Sequence, residues 1–401
     1  MDVDIIFNDY INRQSLFQNR AALQSNFLPE TIIHRELQLE QLGNTLAPAL
    51  KLNRPSNLFI YGKTGTGKTI TTQHFIQKLQ SFVKAKQIPL MPIYINCKLK
   101  RVADTEYRII AQLIQAFGRE IPSTGLPTQE IYKYFYELVE SKPQLILLFL
   151  DEIDELVKKS GEEILYNLTR INGELKKSQV GIVGISNDLM FTANLDPRIK
   201  SSLSEEEILF HPYNALQIQD ILRQRAAQAF TNDALATGVI EKCAAYAAKE
   251  HGDARRALEL LRVAGEIAER ERAGQIRVEH LDRAEEKIDR DKTIDLAVHQ
   301  PKQFQLVLAA ILQLHARGAP VLFTGDIYTT YQDLCSNCGQ RPLTQRRISD
   351  ILGEFDMLGI ISAEIISKGR YGRMRKVHLA VSEEIAQKLR EVLRRELDPS
   401  L

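Results

Sequence analysis

The chain has 401 residues, more than one hydrophobic core ordinarily serves, so two or three domains are expected. Its 52 Lys and Arg against 51 Asp and Glu leave a net charge of +1, so only local charge can speak for or against nucleic acid. Four cysteines exclude a disulfide scaffold, no apolar run approaches a membrane span, and Asp2 and Asp4 stand where a signal peptide would be basic; a soluble cytoplasmic protein is expected.

The first informative strand, Leu58-Phe59-Ile60-Tyr61, runs into Gly62-Lys63-Thr64-Gly65-Thr66-Gly67-Lys68-Thr69. An apolar strand followed by G-x-x-x-x-G-K-T is a phosphate cradle for ATP or GTP. Its glycines let backbone N–H groups turn inward, and a helix starting near Lys68 aims its positive end at the phosphates. Lys68 then meets the β- and γ-phosphates and Thr69 a Mg²⁺ ion.

A second strand, Leu145 to Leu150, is apolar throughout, as a buried parallel strand must be, and it ends in Asp151-Glu152. Ligands of an open α/β sheet lie beyond the carboxyl ends of its strands, so Asp151 is the Mg²⁺-side carboxylate and Glu152 the general base. The same two acids would also suit a solvated helix start. A third strand, Val180 to Ile185, ends in Ser186-Asn187-Asp188 and places Asn187 where it could orient the attacking water, although Asn-Asp is also an ordinary turn sequence.

Residues 1–211 therefore predict an α/β domain on a parallel sheet. From Pro212 the character changes: Ala215 to Phe230 and Val239 to Arg272 carry apolar residues at helical spacing with few strand formers, predicting an all-helical unit over residues 212–292. A polar stretch from Asp289 to Gln303 reads as a linker with a helical start. Residues 300–397 then give three helices, Phe304 to Arg317, Thr324 to Leu334 and Thr344 to Leu358, and two strands, the parts of a winged helix.

The third of these helices buries Ile348, Ile351, Leu352, Phe355 and Leu358, which leaves Thr344, Gln345, Arg346 and Arg347 at its start. Cations there oppose the helix dipole and invite an anionic partner, phosphate or a guanine edge; solvated surface arginines are the plainer alternative. In the following hairpin the stretch from Lys368 to Lys376 holds five basic residues and no acidic one. Lys368, Arg370, Tyr371, Gly372, Arg373 and Arg375 thus read as a duplex-contacting wing. Cys335 and Cys338 have C-x-x-C spacing without a second pair, which predicts two thiols and no zinc.

Taken in order, these pieces resemble the archaeal origin-recognition and Cdc-type replication initiators, AAA+ ATPases with a helical lid and a C-terminal winged-helix DNA-binding domain. Further matches are Ile33-His34-Arg35-Glu36-Leu37-Gln38, Asp196-Pro197-Arg198, His211-Pro212-Tyr213, Gly252-Asp253-Ala254-Arg255-Arg256 and Pro342 to Ile348. The resemblance implies ATP or ADP with Mg²⁺, held near the adenine by His34, Arg35, Glu36 and Tyr213. It also makes Asn187 the sensor-1 position, Arg198 the arginine-finger candidate and Arg255 the sensor-2 arginine, with Arg256 as the alternative.

Ile121 to Glu130 resembles the insertion special to initiators, where Thr124 and backbone N–H groups would touch phosphate. The implied activity is slow, Mg²⁺-dependent ATP hydrolysis used as a switch. The implied partners are double-stranded origin DNA, the replicative MCM-type helicase and other initiator protomers, in the nucleoid and away from membranes. Two rivals remain: a winged-helix transcription regulator with a nucleotide site, and a clamp-loader-type ATPase, which has no need of a basic wing.

Overall fold

The structure is a computed structural model and describes residues 4, 15–98, 106–121, 127–203, 205–250, 252–318, 321–367 and 373–397. Five strands, β1 (Asn57–Tyr61), β2 (Leu90–Asn96), β3 (Leu145–Asp151), β4 (Gln179–Ser186) and β5 (Glu205–Leu209), form one sheet in the order β2-β3-β4-β1-β5, every pair parallel. Central strands buried on both faces need apolar side chains at every position, and β1 and β3 are buried along their whole length. Alternate residues go to opposite sides: Leu58 and Ile60 join one core, Phe59 and Tyr61 the other.

The first core is closed by the helices Glu36–Leu46 and Lys68–Lys86. The second is closed by Glu106–Ala116, Thr128–Val139, Ile153–Ser160 and Glu163–Arg170. Register sets Tyr61 beside Ser186 and Asp151 beside Ile185, so the chain leaves β1, β3 and β4 at one edge of the sheet. The outer strands carry weaker sequence signals, since β2 contains Pro92 and β5 opens Glu-Glu-Glu, as suits edges that must not pair further.

Three helices, Ala215–Ala229, Val239–Lys249 and Ala254–Arg270, make the lid. The first starts in a capping box between Asn214 and Gln217, and the third is capped by Asp253, whose carboxylate accepts from Arg255 N and Arg256 N. The residues from Ser15 onward pack on the lid. Gln18 N donates to Ala229 O at 2.9 Å, Thr231 N to Leu16 O at 2.9 Å, and the Phe17 and Phe230 rings lie 4.7 Å apart. Sheet and lid together form one compact unit, Met1–Leu281.

The second unit is Asp282–Leu401. Its first residues belong to the helix Val278–Val298, so the polar stretch read as a linker is helical as far as Val298, with Ile294 and Ala297 in this unit's own core. The helices Lys302–Ala316, Thr324–Asn337, Gln345–Met357 and Glu383–Leu397 surround that core. A three-stranded antiparallel sheet, β6 (Leu322–Phe323), β8 (Arg373–Leu379) and β7 (Ile361–Ser367) in that order, completes a winged helix. Ile348, Ile351, Leu352 and Phe355 are buried as expected; Leu358, expected inside, caps the helix and is 37% exposed. No helix among the described residues is long and apolar enough to cross a membrane.

Candidate functional site

Where the chain leaves β1, the helix Lys68–Lys86 begins with Gly67 as its N-cap at φ +88° and no side-chain cap bond. An uncapped helix start aimed into a cavity is an anion site. Glycine is needed here for a second reason: a Cβ on Gly65 (φ +76°) would lie 1.8 Å from the Asp253 carboxylate, and one on Gly67 2.5 Å from the Tyr213 hydroxyl. The lid therefore rests directly on the loop, and Ala254 N donates to Gly65 O at 3.3 Å.

Lys68 is 5% exposed, and its ammonium donates to Gly62 O (2.6 Å), Lys63 O (2.9 Å) and Asn187 Oδ1 (2.8 Å). Burial, then the Arg255 charge, pushes its pKa down to about 8 against the pull of Asp151, Asp154 and Glu152. Thr69 Oγ1 donates to Asp151 Oδ2 at 2.9 Å, so the two expected metal-side groups meet. The expected base, Glu152, sits at φ +55° and pairs with Lys98 at 3.3 Å. Lys63 and Thr64 are exposed, and Thr66 Oγ1 donates to Lys63 O at 2.8 Å.

A cavity of about 460 Å³ opens beside them; Gly65, Gly67, Thr69, Asp151, Glu152 and Arg255 line it, as does Tyr213, whereas Lys68 and Asn187 do not. Its other walls include Thr31, Ile32 and Ile33, whereas His34, Arg35 and Glu36, expected beside the base, do not line it. Arg35 is buried and spends its donors on carbonyls: Nε on Thr66 O (2.9 Å), Nη1 on His34 O (3.0 Å) and Nη2 on His211 O (2.6 Å). Its guanidinium stacks 3.7 Å from the Tyr213 ring centroid, and burial lowers its pKa. His34 Nε2 meets Asp220 Oδ2 at 3.0 Å, and Glu36 Oε1 accepts from His34 N.

Of the two lid arginines, Arg255 lines the cavity and Arg256 pairs with Glu250 at 3.2 Å. Arg198 does not line it; its side chain is 82% exposed and pairs with Asp196 at 3.1 Å. Several polar groups of the cavity escape sequence reading, Tyr94, Gln224 and Arg225 among them. Tyr94 donates to Asp151 Oδ2 at 2.7 Å, and burial, then the Asp151 charge, holds the phenol well above its usual pKa; Gln224 and Arg225 come from the lid. Only for Tyr94 is there a signal: a tyrosine in a buried strand needs a partner for its hydroxyl.

In the second unit Thr344 caps the third helix by accepting from Arg347 N, and Gln345, Arg346 and Arg347 are exposed in its first turn. Arg347 reaches Asp350 at 3.7 Å. Arg375 is turned onto this helix, with Nε on Ser349 Oγ at 3.3 Å and its guanidinium against Gly353. Lys368, Arg370, Tyr371 and Gly372 lie outside the described residues, as does Thr124, and Arg373 opens β8.

A glycine-rich phosphate loop, an acidic strand end and a helical lid define a P-loop ATPase of the AAA+ class, here joined to a winged helix. Residues 52–188 match an AAA domain, 219–286 the Cdc6 AAA+ ATPase-type lid domain and 295–388 the CDC6 C-terminal winged helix domain. An ORC1-type DNA replication protein of Pyrococcus furiosus is 47% identical, over 98% of this chain and 93% of its own; one from Archaeoglobus fulgidus is 47% identical over 96% and 93%. The Aeropyrum pernix ORC1 protein, solved in complex with DNA, superposes with a TM-score of 0.81 at 41% identity, over 96% of this chain and 98% of that one. The chain belongs to the ORC1-type family of DNA replication proteins.

Proposed function

We propose that this protein is a nucleotide-switched replication initiator that binds double-stranded origin DNA and brings the MCM-type replicative helicase to it. The observation that carries the reading is the likeness, over nearly the whole chain, to an ORC1 protein solved in complex with DNA. ATP or ADP fits the cavity, whose volume lies within the range of small-molecule sites and whose polar end is an uncapped helix start. Thr69 and Asp151 would hold Mg²⁺, for which hard oxygen donors 2.9 Å apart are suited. When bound, the ion supplies positive charge to the phosphate oxygens.

The chain's own groups then have distinct tasks. Lys68 donates to phosphate, Glu152 takes the proton of the attacking water once Lys98 yields it, and Asn187 positions that water. Arg255 reads the phosphates from the lid, and Arg198 acts from its exposed helix on a neighbouring protomer's nucleotide. Turnover is slow because Glu152 is engaged by a cation and Lys68 by three acceptors before nucleotide arrives. On the duplex, Thr344, Gln345, Arg346 and Arg347 enter a groove while the basic wing, Lys368, Arg370, Tyr371, Gly372, Arg373 and Arg375, tracks the backbone. Linkage requires that a nucleotide altering DNA affinity be altered equally by DNA.

Genome-wide crosslinking of the native protein, with an Arg346→Ala/Arg373→Ala control, tests this. Occupancy at replication start sites that the double variant loses is expected; occupancy spread over promoters, unchanged by Glu152→Gln, would make the protein a transcription regulator instead.

A further inference from the structure

Because the five strands are parallel, all of them start at one edge of the sheet, opposite the edge that carries the phosphate loop, Asp151 and Asn187. Cations stand just ahead of four of these starts: Lys84 and Lys86 before β2, Lys142 before β3, Lys176 and Lys177 before β4, and Arg54 before β1. Far apart in the chain, they become a row through the sheet. Leu145 N donates to Pro89 O at 3.0 Å, Ser178 Oγ to Lys142 O at 2.9 Å and Arg54 N to Gln179 Oε1 at 3.1 Å, which ties each strand start to the next in the order β2-β3-β4-β1. All six cations are exposed, and among the described residues none of them makes an ion pair.

The acids interleaved with the row are engaged. Glu140 accepts from Lys176 N (3.2 Å), Lys177 N (3.0 Å) and Ser178 N (3.0 Å) and lies in reach of the Lys177 charge, and Glu174 accepts from the Tyr136 hydroxyl. The row stops at β1, because β5 beyond it opens with glutamates, of which Glu206 accepts from Thr45 Oγ1 at 2.8 Å. Helix ends explain part of the charge: Lys68–Lys86 and Thr128–Val139 both finish at this edge, and each C-terminus carries about half a negative charge. With Glu140 and Glu174 also counted, a surplus of about three positive charges remains.

We propose that this edge is a second DNA-contacting surface, on which the nucleotide-binding unit holds duplex phosphates without reading sequence. A linear row of like charges suits a linear polyanion. It crosses three strand spacings, about 14 Å, over which a duplex carries about eight phosphates. Five of the six cations are lysines, a residue depleted at protein–protein interfaces and at home on phosphate. The proposal rests on the reading of the chain as a DNA-binding protein and adds a contact carried by residues outside the winged helix.

Two measurements on the full chain test it, both with a duplex lacking origin sequence. Acetylation of the wild type, read by mass spectrometry, is expected to be slowed by duplex at Lys84, Lys86, Lys142, Lys176 and Lys177. In the variant Lys84→Gln/Lys142→Gln/Lys177→Gln, the slope of log affinity against log salt is expected to fall by about 2.7, with ADP affinity unchanged as the sign of an intact fold. No protection of these lysines, or a slope equal to that of the wild type, would overturn the proposal; a lowered melting temperature with that unchanged slope would assign the lysines to the helix ends alone. Protection by polyglutamate and not by duplex would overturn it in favour of an acidic protein partner. The footprint on the wild type decides where the triple variant fails to fold. A wild-type chain that binds no duplex at all, origin sequence included, would instead overturn the DNA-binding reading itself.

Discussion

Lys68 has three ammonium protons and three acceptors, Gly62 O, Lys63 O and Asn187 Oδ1, so a phosphate oxygen must displace one of them. Asn187 is the side-chain acceptor of the three and rotates away most readily. Asn187→Ala is therefore expected to bind ADP several-fold more tightly while hydrolysing ATP about a hundredfold more slowly. Calorimetry with single-turnover kinetics reads both effects, and weaker binding would show that Asn187 does not compete. The same lysine sets a pH dependence. Its pKa is lowered from 10.5 to about 8, a shift on the order of 3 kcal/mol. Between pH 8 and 10.5 the unfolded chain holds this proton and the folded chain does not, so the stability of the nucleotide-free protein gains from this group as pH rises through that window. Nucleotide affinity moves the other way: a bound phosphate favours the charged amine, so binding above pH 8 takes up a proton and weakens as pH rises. Calorimetry at pH 8.5 in buffers of different ionisation enthalpy would show the uptake.

At the scale of elements, Arg35 joins three pieces. It ties the phosphate loop through Thr66 O to the strand exit at His211 O, and it stacks on Tyr213 at the entrance to the lid. Removing a buried guanidinium leaves those carbonyls without donors, and charge-assisted bonds of this kind are worth about 1.5 to 3 kcal/mol each. Arg35→Ala is expected to lower stability by roughly 3 to 5 kcal/mol and to loosen nucleotide binding, read by denaturant unfolding and by ADP titration. Unchanged stability would mean that water replaces the guanidinium. The sequence resemblance places Arg35 near the nucleotide, and the structure explains the residue differently: its donors are consumed by the chain itself, and the cavity wall is Thr31 to Ile33. A motif identifies which residue matters without stating which atoms it touches.

For the whole molecule, the net charge of +1 hides a local concentration of cations at the winged helix. Binding that releases counterions from duplex DNA steepens the dependence of affinity on salt by about 0.9 logarithmic units for each phosphate neutralised. Arg346→Ala is expected to flatten that slope by about one. Arg347→Ala should cost less, because Arg347 must first leave Asp350 at 3.7 Å. Titrations of origin duplex at several salt concentrations distinguish the two, and equal slopes for both variants and the wild type would remove this turn from the interface. The wing itself was legible only as composition, since five cations between Lys368 and Lys376 state a charge and no geometry.

By itself the sequence determined what short-range physics controls. The buried strands, the phosphate loop with its glycines, the acids that end β3 and the helix starts all follow from dihedral freedom, side-chain alternation and local charge within a few residues. The order of these pieces along the chain was enough to place it among replication initiators. Tertiary structure decided which distant groups meet. Tyr94 on Asp151 is a contact across 57 positions, Arg225 on Gln24 across 201, and Asn187 on Lys68 across 119. Nothing in local sequence encodes such pairs, because they exist only once strand register and lid packing have closed the chain on itself. The same closure chose Arg255 over Arg256 for the cavity and brought Ser25 to Ile33 and the lid up to the phosphate loop, so that one cavity is walled by segments far apart in the chain.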